Sequence, residues 1–225
     1  MFLSPAKPAL CVFLQACARG GIDLAAACQV GAYNAAVAAE VRLPDFGEPR
    51  SRVVILANSR ALWAPFIVAR RAAGVSGDLN PLDGYVERVI GDAATQLSVR
   101  YELRFAHEHP PRRVAIQELA RLTGLAALSP AHLSVHPDFG PWIGLRAALV
   151  MDSLGPEMSP REAPCAGCAA PCLAALKRAL AAGADSEKDW QEWVVIRDVC
   201  PMGREHRYGD DQLRYHYTKD PTWLR

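Results

Sequence analysis

Cys165, Cys168 and Cys172 stand at C-x2-C-x3-C spacing, and Cys200 follows with Pro201 directly after it. Thiolates this close together suit an iron–sulfur cluster or zinc. A ferredoxin run reads C-x2-C-x2-C-x3-C-P. Here Pro171 occupies the place of the third cysteine and the next residue carries the sulfur. With Cys200 the set has the ligands for a tetrahedral ion or a cubane. The competing arrangement is a trio of buried thiols opening an alanine-rich helix, because free cysteine packs as a small hydrophobe. Cys11, Cys17 and Cys28 are scattered on early elements and read as core or half-buried positions.

A second chemical signal is the run His136, Pro137, Asp138, Phe139, Gly140, Pro141, Trp142, followed by the apolar stretch 143–150. A strand exit, a tight turn and a second strand fit within these residues, which places an aromatic ring and an imidazole beside a sheet edge. Gly140 admits unusual dihedrals and Pro141 fixes its own, so the backbone is free to approach a flat ligand closely. By pattern alone, the commoner arrangement is a β-hairpin with Trp142 packed in the core.

The elements that must position these groups alternate between helix and strand. Residues 8–18 predict a helix stopped by Gly20 and Gly21, and the β-branched run 51–58 predicts a buried strand. A helix over 61–73 closed by Gly74, a helix over 85–97 after the NPLD turn, and a half-buried strand over 98–105 follow. Next come a helix over 112–122 ending at Gly124 and the two strands around the His136–Trp142 turn. This order predicts an α+β sandwich with a central, mostly antiparallel sheet flanked by helices. Residues 155–164 are a proline-rich linker, so the chain divides into a main domain over 1–154 and a cysteine-containing helical cap over 155–225.

Composition narrows the function classes. With 25 basic and 24 acidic residues the net charge is +1, which offers nucleic acid or an anionic membrane no electrostatic handle. Pro5, Lys7 and Pro8 interrupt the N-terminal apolar stretch, and no run approaches the ~18 residues of a membrane span. Seven cysteines suit reduced thiols or a metal site better than a disulfide framework, so a soluble cytoplasmic protein is expected.

QVGAYN (29–34), NPLD (80–83), the His-Pro-x-Arg-Arg run at 109–113, HPDFGPWIGLR (136–146), the W-x-x-W of Trp190 and Trp193, and RYGDDQ (207–212) occur in the order seen in CblC-type (MMACHC-like) cobalamin-processing proteins. The resemblance covers roughly Ile22 to the C terminus. It implies a nitroreductase-like fold that holds cobalamin base-off and removes its upper ligand, by reductive decyanation or by alkyl transfer to a thiol. That chemistry belongs to cobalt, and the protein supplies position and electrostatics. A corrin needs a broad pocket with aromatic walls and a polar rim. Gln29, Tyr33, Asn34, His136, Phe139, Gly140 and Trp142 are suitable types for it, with His136 in the pocket rather than on cobalt. Arg146 aligns with a family arginine for the thiol co-substrate, and Arg197 aligns if one residue is inserted after Trp193; Arg225 aligns only with the tail stretched. Guanidinium groups pair with the carboxylates of glutathione through parallel hydrogen bonds. Trp193 also matches a family position. The partners implied are glutathione or another thiol, an electron-donating reductase or bound FMN, a cobalamin-dependent acceptor protein and a second copy of the chain.

Two other functions compete. One is an iron–sulfur corrinoid reductase related to epoxyqueuosine reductase, which shares the G-x-x-W-like turn and a ferredoxin segment. Against it, His107 stands where those enzymes carry a catalytic aspartate, and Ser129–His132 replaces their Gly-Lys-Asn-Thr run. The other is a non-enzymatic corrinoid carrier, which needs the same pocket as a processing enzyme.

Overall fold

The computed structural model describes residues 6–73, 80–158, 164–185 and 187–224. Gly74, residues 159–163 of the expected linker, and Arg225 lie outside them. In chain order the elements are α1 (Ala6–Arg19), β1 (Leu24–Gln29), α2 (Val30–Ala36), β2 (Ser51–Asn58), α3 (Trp63–Ala73), α4 (Pro81–Ala94), β3 (Tyr101–Phe105), α5 (Ile116–Leu122), β4 (Ala127–Leu128), β5 (Ser134–Val135), β6 (Gly144–Leu154), α6 (Pro171–Ala181), α7 (Trp190–Asp198) and α8 (Asp210–Thr218).

The central sheet has four antiparallel strands in the order β1-β2-β6-β3. Side chains alternate between its faces, and each face is covered by helices. Val54 and Leu56 of β2, with Ala147, Leu149 and Met151 of β6, join Phe13 of α1, Phe66 of α3 and Ile90 of α4 in one core. Val53 and Ile55 of β2, with Ala148 and Val150 of β6, pack on the other side against Tyr33 of α2 and Leu119 of α5. Double coverage explains why β2 reads as an unbroken apolar run although every pairing is antiparallel. The expected α+β sandwich is therefore the observed fold.

Several boundaries move for local reasons. NPLD is the first turn of α4, with Pro81 at a position where a missing N–H costs nothing. Strand β3 starts only at Tyr101, and Leu97 and Val99 pack on the core outside the strand. Helix α5 starts at Ile116, and Arg112 lies outside it: its Nε donates to Glu108 at 2.7 Å and its Nη2 to the Leu103 carbonyl. The largest correction concerns the expected hairpin. Strand β5 is two residues long and pairs with β4 in a separate small sheet, whereas β6 pairs with β2 and β3. The His136–Trp142 turn thus connects two sheets.

The C-terminal helices build on the main core as well as on one another. Cys172, Ala175 and Ala179 of α6 and Ile196 of α7 pack around Ala131. Tyr215 of α8 and Leu224 enter the same core as Phe66 and Leu149. Truncating Leu149, fully buried at the sheet centre, to alanine should cost about 2–5 kcal/mol. Urea denaturation should show that loss for Leu149→Ala and almost none for Leu154→Ala, whose side chain is exposed; equal effects would contradict this placement of the core.

Candidate functional site

The segment after α7 is laid across the end of the sheet by one close backbone approach. Gly140 (φ 56°) and Gly203 (φ 63°) face each other in the left-handed region. A Cβ on Gly140 would overlap the Met202 carbonyl, and one on Gly203 would overlap the Phe139 carbonyl group. Only glycine allows both the dihedral and the contact. The turn itself is closed by paired bonds, His136 N to Gly140 O and Gly140 N to His136 O, each 2.9 Å. Around the junction, the Phe139 ring lies 4.5 Å from that of His206, and Arg197 Nη1 donates to the Pro141 carbonyl.

A cavity of about 250 Å³ lies beside this junction, lined by residues that include Arg146, Arg197, Tyr208, His216 and Tyr217. Arg146 reaches it through a β-bulge. Leu56 pairs with Ala147 and Ala57 with Leu145, leaving Arg146 as the extra residue, and a bulge re-aims such a side chain. Its Nε donates to Oδ1 of Asn58, the last residue of β2. Asn58 Nδ2 in turn donates to the Ser59 carbonyl at 2.6 Å, and the Ser59 hydroxyl donates to Asp23 at 2.6 Å.

The electrostatics of the cavity are those of an anion site. Among the described residues, no carboxylate lies at ion-pair distance from Arg146 or Arg197. Burial pulls the Arg146 guanidinium below its ordinary range, yet arginine keeps its proton in proteins. Burial pushes Tyr208 up to about 12. His216 is held well below the usual imidazole range, first by burial and then by the charges of Arg146, Lys219 and Arg197. Its Nε2 is buried with no hydrogen-bond partner among the described residues, and its ring packs near Trp63 and Tyr208. A neutral histidine beside two guanidinium groups leaves positive charge that an anionic ligand would balance.

The residues expected to contact a corrin are dispersed. Tyr33 is fully buried, and its hydroxyl donates to the Val41 carbonyl and accepts from Ala115 N–H, both at 2.9 Å. Asn34 exchanges two bonds with the Leu43 backbone. Tyr33 serves the face of the sheet packed by α2 and α5, and Gln29 is half-buried at the end of β1. His136 accepts through Nδ1 from the N–H groups of Asp138 and Phe139, so it braces its own turn. Trp142 is 1% exposed and packs with Val194, Tyr208 and Leu213. Trp193 does not line the cavity; it packs beside α6. Arg146 and Arg197 do come together, and Arg225 lies outside the described residues.

Cys165, Cys168, Cys172 and Cys200 line one narrow cleft, which also includes Leu133, Val135 and Pro201. Burial raises the Cys165 and Cys200 thiols, and the neighbouring thiols raise them further. Among the described residues, no group of three or more His, Cys, Asp or Glu side chains is arranged to hold a metal ion as the structure stands. Cys17 and Cys28 are core residues whose thiols burial lifts to about 12 and about 11.

Across 98% of its length the chain superposes on the crystal structure of a C. elegans B12-trafficking protein CblC, a human MMACHC homologue, with a TM-score of 0.70 and 17% identity over 95% of that chain. The chain has the CblC fold. Epoxyqueuosine reductase from Bacillus subtilis matches 72% of this chain and 50% of its own at a TM-score of 0.46 and 12% identity. No protein-family model matches the sequence, and no curated protein does. On the nitroreductase-like CblC fold, sequence reading missed Asn58, Tyr208 and His216. RYGDDQ marked the neighbourhood of Tyr208, but the bulge that turns Arg146 toward it has no signal in the strand pattern.

Replacing Gly140 by alanine should loosen the C-terminal segment: limited proteolysis should cut Gly140→Ala within residues 155–225 under conditions that leave the parent whole, and unchanged resistance would refute the junction. His216 generates a pH dependence. Its folded-state pKa lies below the unfolded value near 6.5, so its contribution is intact above pH 6.5 and lost as pH falls. The loss is at most about 1.4 kcal/mol per pH unit. Between pH 6.5 and 5.5, urea melts should show this slope in the parent and a shallower one in His216→Gln; matching slopes would contradict a buried neutral ring.

Proposed function

We propose that the chain binds cobalamin and processes its upper axial ligand, with the Arg146–Arg197 cavity receiving a thiol co-substrate such as glutathione. The observation that carries the reading is an electropositive cavity, without a carboxylate partner among the described residues, on a chain that has the CblC fold over nearly its whole length. At about 250 Å³ the cavity is smaller than the ~300–1,000 Å³ of sites that engulf a drug-sized ligand. In this reading a corrin lies across its mouth, and the cavity takes the co-substrate.

Each lining group then has a defined task. Arg146, fixed by Asn58, and Arg197, fixed by the Pro141 carbonyl, bind the co-substrate carboxylates and orient its sulfur. Their charges also favour thiolate over thiol, because a cationic neighbourhood lowers a thiol pKa. Neutral His216 adds no competing charge, and the aromatic wall of Tyr208 and Tyr217 limits water. Cobalt supplies the bond-breaking chemistry when cobalamin is bound. A cyano ligand leaves instead by reduction, with electrons from a partner reductase or bound FMN, and the product passes to a cobalamin-dependent protein. The tRNA-directed alternative is disfavoured by His107, whose Nε2 lies 2.7 Å from Glu87 on an exposed surface.

Titration with methylcobalamin should produce the base-off absorption band. With excess ligand and no spectral change, the reading fails. Removing a charge-assisted bond costs about 1.5–3 kcal/mol, so Arg146→Ala or Arg197→Ala should raise KM for glutathione by roughly 10- to 100-fold in the dealkylation assay. Corrin affinity should move far less. An unchanged KM in both variants would remove the arginines from the co-substrate site.

A further inference from the structure

The four cysteines that no step above uses are brought together by elements far apart in sequence. Cys165 and Cys168 lie in the turn segment before α6, Cys172 is on its first turn, and Cys200 follows α7. All four line one cleft whose other lining residues are apolar apart from Ser129. We propose that Cys165, Cys168, Cys172 and Cys200 are the ligands of an iron–sulfur cluster seated in this cleft. The proposal stands independently of the corrin reading.

Two features favour a cluster over a single zinc ion. Structural zinc sites take their ligands as two close pairs, whereas here three thiols are grouped and one remote Cys-Pro completes them, the arrangement of cluster motifs. Cluster potentials depend on hydrogen bonds to sulfur and on low polarity. Here the cleft that the four sulfurs border is lined by apolar residues apart from Ser129.

The loop that must close around a cluster is built to turn. Gly167 (φ 70°) and Ala170 (φ 51°) both adopt left-handed dihedrals between the first and third cysteines. Residues 164–170 carry no helix or strand hydrogen bonding that a ligand would have to break. Arg197 lines the anion cavity and Cys200 the thiol cleft, three residues further on. A cluster there would carry single electrons beside the candidate site, each taken from an external one-electron reductant.

The test uses the whole chain, purified anaerobically and incubated with ferrous iron and sulfide, then desalted. A cubane gives about four iron and four acid-labile sulfide per chain, with a broad visible band that dithionite bleaches. Cys168→Ser and Cys200→Ser should each lose most of that iron, while Cys11→Ser, at an exposed position of α1, keeps it. Cys168 is exposed, so its variant should melt like the parent and report on ligation alone. Absence of a chromophore, a chromophore retained by both Cys168→Ser and Cys200→Ser, or one colourless zinc per chain in place of iron would each overturn the proposal. Cobalamin titration of the same samples separates its failure from a failure of the corrin reading.

Discussion

The Gly140–Gly203 contact is the constraint on which the functional half of the molecule depends. Two left-handed glycines let a turn between sheets and the segment after α7 meet backbone to backbone. From that junction Arg197 and Tyr208 reach the end of the sheet on one side, and Cys200 reaches the α6 cysteines on the other. A methyl group at either glycine would force the two segments apart. Both candidate sites would then lose one wall, because neither is formed by the main sheet alone.

The second organising feature is a charge placed where it is costly. Arg146 belongs to a strand whose other inward residues are apolar, and a bulge turns it into the space under α8. An unpaired buried charge costs several kcal/mol, and proteins normally supply a partner. Among the described residues, Arg146 hydrogen-bonds to the Asn58 side chain, no carboxylate stands at ion-pair distance, and the histidine lining the same cavity is neutral. Such a balance favours any anion that enters the cavity, so ligand binding and relief of the charge are one event.

The parts of the fold written in short-range pattern were legible in the sequence. Ser51–Asn58 was expected as a buried strand and is β2, because an eight-residue β-branched run has few other ways to hide both faces. Arg146 and Arg197, related through family resemblance, line one cavity. What escaped depends on contacts between distant segments. Trp142 sits in a turn that suggests a ligand platform, but Tyr208 and Leu213, more than sixty residues on, cover it. Tyr33 and Asn34 carry polar groups that look available until Val41, Leu43 and Ala115 occupy them. A bulge changes the facing of one residue without changing the strand's composition, so no periodicity could announce it.

The most direct test of the account is crystallography of the protein grown with cobalamin and glutathione, using cobalt anomalous scattering to place the metal. The account predicts cobalt at the mouth of the cavity formed by Arg146, Arg197, Tyr208 and His216, with a glutathione carboxylate on the two guanidinium groups. Cobalt bound elsewhere on the chain, with the arginines facing only solvent, would contradict it.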